Sequence, residues 1–111
     1  MIVRVLYLIG VCWNIDVSYN TKMIEVLVWA FKKNEIPLSV FLLGPEWHMT
    51  YENTYSGYTF DYNLIPNPKE LTDYLHSNNI RIGLNVDPSG GISPDEIGYT
   101  RFKQIAGYAE D

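Results

Sequence analysis

Leu38-Ser-Val-Phe-Leu-Leu43, set between Pro37 and Gly44-Pro45, reads as a short apolar strand, and its neighbours decide how that strand is used. Upstream, Asn20 or Thr21 can cap a helix that runs to about Lys33. Ile24, Leu27, Val28 and Phe31 form its i, i+3, i+4, i+7 stripe. Lys32 and Lys33 fall where the helix dipole favours cations, and Pro37 prevents the helix from continuing. Farther back, the nearly continuous apolar run from Val3 to Val11 predicts a first strand with both faces covered.

Downstream of Leu43 a long segment, residues 44–66, carries Trp, Tyr, His and Glu. Connections longer than about 12–15 residues are uncommon in compact domains and are usually functional. A functional loop is therefore expected, the plain alternative being an extra hairpin that covers one end of the sheet. Asn67-Pro68-Lys69-Glu70 has the chemistry of a helix start: a capping Asn, Pro in the first turn, and an acid that can close a capping box. Leu71, Tyr74 and Leu75 give that helix its inner face, and Asn78-Asn79 its end. Ile80 to Val86 predicts a third strand, and Gly90-Gly91 a turn. Ser93-Pro94-Asp95-Glu96 repeats the helix-start pattern, before a third helix lined by Phe102, Ile105, Ala106 and Ala109. The order βαβαβα argues for an α/β fold with parallel strands and right-handed crossovers.

Composition bounds the function. The 111 residues are 47% hydrophobic with a net charge of −5, which excludes a disordered chain. No basic run exceeds Lys32-Lys33, so a surface that tracks nucleic-acid phosphates is not expected. The apolar start is too short for a membrane helix, which needs about 20 residues, and it lacks the basic region and cleavage site of a signal peptide. No membrane partner is expected. The single cysteine, Cys12, rules out an intrachain disulfide framework and suits a reducing, cytoplasmic setting. No nucleotide-type glycine loop is present, so no cofactor is expected.

In α/β folds, function collects beyond the carboxyl ends of the strands. Those positions here are Trp13, Asn14 and Asp16 after strand one, Glu46, Trp47 and His48 after strand two, and Asn85 and Asp87 after strand three. Flat aromatics stack on sugar faces and carboxylates accept from hydroxyls, a pairing that suits a neutral polyol. Each residue also has a plain structural reading. Trp13 and Trp47 can close the end of the sheet, Glu46 can be a solvated loop charge, and Asp87 before Pro88 can be an Asx-turn residue. Glu46 and His48 alone make a weak metal pair with no third ligand evident.

Several stretches resemble glycoside hydrolase family 31. Ile36-Pro-Leu-Ser-Val-Phe-Leu-Leu-Gly-Pro-Glu-Trp-His-Met49 is similar to that family's second-strand segment. Gly57-Tyr-Thr-Phe-Asp-Tyr-Asn-Leu-Ile-Pro-Asn-Pro-Lys-Glu-Leu71 looks like its next block, and Leu84-Asn-Val-Asp-Pro-Ser-Gly-Gly-Ile92 like its third-strand motif. Gly10-Val-Cys-Trp-Asn14 and Tyr19 resemble its opening strand and first helix. The resemblance runs through nearly the whole chain in order. It implies a partial (β/α)8 TIM barrel of about three βα units, with residues 1–111 a single fragment of the catalytic domain.

The resemblance also implies α-linked sugar substrates and a retaining mechanism with two carboxyl groups. In the family those two aspartates lie on later strands, beyond Asp111, so no catalytic residue is assigned here. This stretch would supply the substrate-binding wall: Trp13, Glu46, Trp47, His48 and Asp87. Two departures stand out. Gly44 occupies a position where relatives usually carry an Asp that contacts the terminal sugar, and Phe60 stands where many have Trp. Glu46 keeps the second acidic position. The competing reading is a non-catalytic, carbohydrate-binding or assembly half-barrel. A third, a small stand-alone interaction domain, requires the motif matches to be accidental. Open sheet edges predict self-association of the isolated chain.

Overall fold

A computed structural model describes residues 10–52 and 54–108. Three strands, β1 (Val11–Ile15), β2 (Leu38–Leu43) and β3 (Arg81–Leu84), form a parallel sheet in that order. The helices are α1 (Thr21–Lys33), α2 (Pro68–Ser77) and α3 (Tyr99–Ala106), and single 3-10 turns, Pro45–Trp47 and Pro88–Gly90, follow β2 and β3.

The local rules act where expected. Asn20 caps α1 by accepting from the Met23 N–H at 2.9 Å, and Asn67 caps α2 by accepting from Glu70 N–H at 3.2 Å. Each such cap stabilises its helix by about 1 kcal/mol. Both helices end on asparagine, and the chain leaves each through a left-handed residue, Glu35 or Asn79.

α1 and α2 cover one face of the sheet. Ser39, Phe41 and Leu43 are the buried residues of β2. Phe41 and Leu43 pack with Ile24 and Val28 of α1, Leu71 and Leu75 of α2, and Ile65 and Ile80 from the connections. Full burial of each such side chain contributes about 1.5–3 kcal/mol. Trp13, Phe41 and Ile82 sit side by side in register on this face. By strict alternation, Cys12, Asn14, Val40, Leu42 and Gly83 look the other way.

The structure corrects three expectations. The first strand does not end near Val11: β1 runs from Val11 to Ile15, and the expected residues 3–9 lie outside the described residues. Trp13 and Asn14 are consequently inside the strand, paired with Phe41 and Leu42, and only Asp16 lies beyond it. Pairing with β2 carries the strand on through Ile15, opposite Leu43. Second, Ser93–Glu96 is a turn, held by the Glu96 N–H on the Ser93 carbonyl at 3.1 Å, and α3 begins only at Tyr99. The Glu96 carboxylate is committed elsewhere, so it cannot close a capping box. Third, α3 has no buried residue; Phe102 and Ile105 are exposed at 49% and 77%, so they line no core. Ala109 lies outside the described residues.

Candidate functional site

The carboxyl ends of β2 and β3 open into a cleft of about 620 Å³. Glu46 reaches it from the turn after β2, His48 from the residue that ends that turn, and Asp87 from the stretch after β3. Ser18, from the connection after β1, donates its hydroxyl to Glu46 Oε2 and so ties the β1 and β2 ends together. Asn85 Nδ2 donates to Asn14 Oδ1 at 3.3 Å, a second polar link across the sheet end.

Asp87 is exposed and its Oδ1 accepts from Ser89 N–H at 2.9 Å, the geometry of an Asx turn. The Ser89 hydroxyl and N–H hold the Asp87 carboxyl below the ordinary aspartate range, because they bind its charged form. The exposed Asp87 also lines the cleft.

His48 is 4% exposed. Its Nδ1 lies 2.9 Å from the Met49 carbonyl, which can only accept, so this nitrogen carries the proton. Nε2 is buried with no partner among the described residues. The ring lies against Gly57, whose missing side chain makes room for it.

Trp47 stands behind the cleft and not at its surface. It is 5% exposed, gives its indole N–H to the Asn85 carbonyl, and meets Phe60 edge to face with centroids 4.9 Å apart. Trp13 lies on the helix side of β1, its N–H donated to the Tyr19 hydroxyl at 2.9 Å and its ring against Phe31. Of the five expected wall residues, the structure thus brings Glu46, His48 and Asp87 onto one cleft. It places the two tryptophans in the packing around it.

Sequence reasoning missed several participants. Asp61, Thr50 and Tyr55 of the long loop also line the cleft. Ser56, 1% exposed, donates to the Asp87 carbonyl at 2.5 Å and accepts from Gly90 N–H at 2.9 Å. Glu96, 6% exposed, accepts from Tyr58 N–H at 2.7 Å and from the Thr59 hydroxyl at 2.5 Å. No spacing rule signals these contacts, because their partners lie more than thirty residues apart in sequence.

Gly44 has an ordinary extended backbone with negative φ and is needed for space instead. A Cβ there would stand 2.8 Å from Asp16 Oδ1 and 2.9 Å from Asp16 Cα. The end of β1 fills the room that a side chain at 44 would use. Among the described residues no cluster of three or more His, Cys, Asp or Glu is placed to hold a metal ion. No helix among them is long and apolar enough to cross a membrane.

A parallel β/α sheet whose polar side chains gather beyond the strands' carboxyl ends is shared by α/β barrels and open α/β sheets. Residues 8–109 match the model of the glycosyl hydrolases family 31 TIM-barrel domain, and the chain belongs to that family. It is 34% identical over 83 residues to alpha-glucosidase 2 of Bacillus thermoamyloliquefaciens, a match over 74% of this chain and 10% of that protein. The fold is similar to that of a GH31 alpha-xylosidase from a soil metagenome complexed with xylose. There the TM-score is 0.63 at 20% identity, over 93% of this chain and 14% of that one. The chain therefore spans a tenth to a seventh of these relatives, and a three-stranded piece of a barrel fits that span.

Proposed function

We propose that this chain forms the opening part of the catalytic barrel of a retaining α-glycosidase and supplies one wall of its sugar pocket. The carrying observation is the cleft beyond β2 and β3, which unites Glu46, His48 and Asp87 in a family 31 chain. Glu46 and Asp87 accept from sugar hydroxyls. His48 packs the wall between them. Trp47 and Trp13 support that wall from behind, since both indole N–H groups are already used within the protein. The catalytic nucleophile and general acid come from elsewhere in the parent enzyme, and this chain alone is inactive. The exposed thiol of Cys12 fits a reducing compartment such as the cytoplasm.

The test is turnover of aryl α-glucoside and aryl α-xyloside by the full-length protein, with the anomer of the first product read by NMR. Retention of configuration supports the reading, and inversion or no turnover of either substrate counts against it. Activity from the purified 111-residue chain would also count against it.

Gly44 favours a second reading, a non-catalytic carbohydrate-binding half-barrel, because the neutral position removes an acceptor at the end of β2. Sugar binding by the full-length protein without turnover would select it.

The isolated chain is further proposed to self-associate. β1 and β3 are the outer strands of this sheet, with Ile15 and Leu84 exposed at 44% and 38%, and Val26 and Trp29 stand out from α1. Sedimentation showing a monomer at high micromolar concentration would refute this.

A further inference from the structure

The loop at residues 44–66 has little secondary structure of its own. Its described bridges are two isolated antiparallel pairs, His48 with Phe60 and Tyr51 with Thr54. Its far side is fixed instead by polar bonds to the stretch after β3. Ser56 joins Asp87 and Gly90, and Glu96 joins Tyr58 and Thr59. The bond to Tyr58 is to the backbone, so it holds the chain itself and not only a side chain.

Burying a carboxylate is unfavourable unless its oxygens are hydrogen-bonded. Glu96 meets that condition with one donor on each oxygen, Tyr58 N–H on Oε1 and Thr59 O–H on Oε2. Hydrogen bonds to an ionised acceptor are roughly twice as strong as neutral ones. Glu96 does not line the cleft. It acts through the pair that it holds, and Tyr55 and Asp61, which do line the cleft, stand on either side of that pair in sequence.

We propose that Glu96 is a positioning residue for the cleft: its buried carboxylate clamps Tyr58 and Thr59, and so sets the loop wall opposite Asp87. The proposal rests on the reading of the cleft as a sugar pocket for its functional half, and on geometry alone for the clamp. Ser56 links the same loop to the Asp87 carbonyl, so a slack loop also loosens the stretch that carries Asp87.

The experiment compares wild type, Glu96→Ala and Glu96→Gln in the full-length protein. Two readouts are needed: amide hydrogen exchange along residues 54–60 and 38–43, and KM and kcat for 4-nitrophenyl α-glucoside. Glutamine can keep both bonds. Its carbonyl accepts from Tyr58 N–H, and its amide donates to a Thr59 hydroxyl turned to accept. Glu96→Ala should speed exchange at 54–60 by roughly tenfold or more and leave 38–43 unchanged. KM should rise by roughly tenfold with a smaller change in kcat, and Glu96→Gln should restore most of both. Unchanged exchange at 54–60, or an equal rise in both segments, overturns the clamp. Faster exchange with unchanged KM overturns the positioning role. If the wild type turns over no glycoside, the sugar-pocket reading fails, and the exchange pattern still decides the clamp.

Discussion

The indole N–H of Trp47 donates to the backbone carbonyl of Asn85 across 2.8 Å, joining the end of β2 to the end of β3. Each partner stands within two residues of a residue that lines the cleft, Glu46 or Asp87. The bond fixes the spacing between the stretch that carries Glu46 and the one that carries Asp87. Phe60 and His48 hold the same ring from the loop side, at centroid distances of 4.9 and 5.3 Å. One buried ring therefore ties its own segment to two others, the loop at Phe60 and the end of β3 at Asn85.

Trp47→Phe keeps an aromatic surface and removes the donor. The Asn85 carbonyl is then left without this partner, and stability should fall by about 1–3 kcal/mol. Urea unfolding of the full-length protein, followed at a probe near the cleft, checks this. A variant with unchanged stability and a raised KM would point instead to direct stacking of Trp47 on the sugar.

Gly57→Ala tests the seat of His48. A methyl group at 57 would run into the imidazole Nδ1 and come within 2.5 Å of the Met49 carbonyl. Overpacking of this kind costs about 1–3 kcal/mol. Gly91→Ala is the useful contrast. It meets nothing within 4 Å, but its φ of 71° with ψ of −149° is a conformation that essentially only glycine adopts, so its cost is backbone strain of about 1–3 kcal/mol. Only the first variant should alter the environment of His48, read from its imidazole NMR signals. Identical imidazole shifts in both would show that the ring does not depend on Gly57.

How far the sequence was legible depends on whether the deciding interaction is local. α1, β2 and α2 follow from caps, prolines and periodicity within a few residues, and Leu38–Leu43 is observed with the expected bounds. The end of β1 is not legible in the same way: apolar content stops near Val11, whereas pairing with β2 extends the strand to Ile15. Ser93–Glu96 was misread because Glu96 serves Tyr58 and Thr59, far away in sequence, and not its own helix. The same limit applies to the site. Strand-end logic places Glu46, His48 and Asp87 correctly beyond the strands, but burial of Trp47 depends on Phe60 and Asn85, which no pattern in its own segment announces.

Removal of the α2 cap is a control for purely local effects. Asn67→Ala takes away the acceptor for Glu70 N–H and should cost about 1 kcal/mol. Asn67 lies outside the cleft lining, so KM should be unchanged while the melting temperature falls. A changed KM would mean that α2 communicates with the cleft.

Asp87 gives the most direct test of the pocket. It is exposed, and Ser89 already satisfies one of its oxygens, so its removal should barely affect the fold. If its other oxygen accepts from a sugar hydroxyl, Asp87→Ala in the full-length enzyme should lower kcat/KM by roughly tenfold to a hundredfold. His76→Ala, on the exposed end of α2, should be nearly silent. The pH dependence has a definite sign. The carboxyl pKa of Asp87 is lowered in the folded protein, so the group is ionised throughout the neutral range. Its small contribution to stability is complete above the unfolded value, near pH 4, and is lost only as pH falls through the lower folded value. The ratio of wild-type to Asp87→Ala kcat/KM should therefore be flat from about pH 5 to pH 8, because the acceptor keeps its charge over that window. A ratio that changes across the neutral range would assign the effect to another titrating group. Equal, small effects of Asp87→Ala and His76→Ala would leave Asp87 as a turn residue only and would move the sugar pocket away from the end of β3.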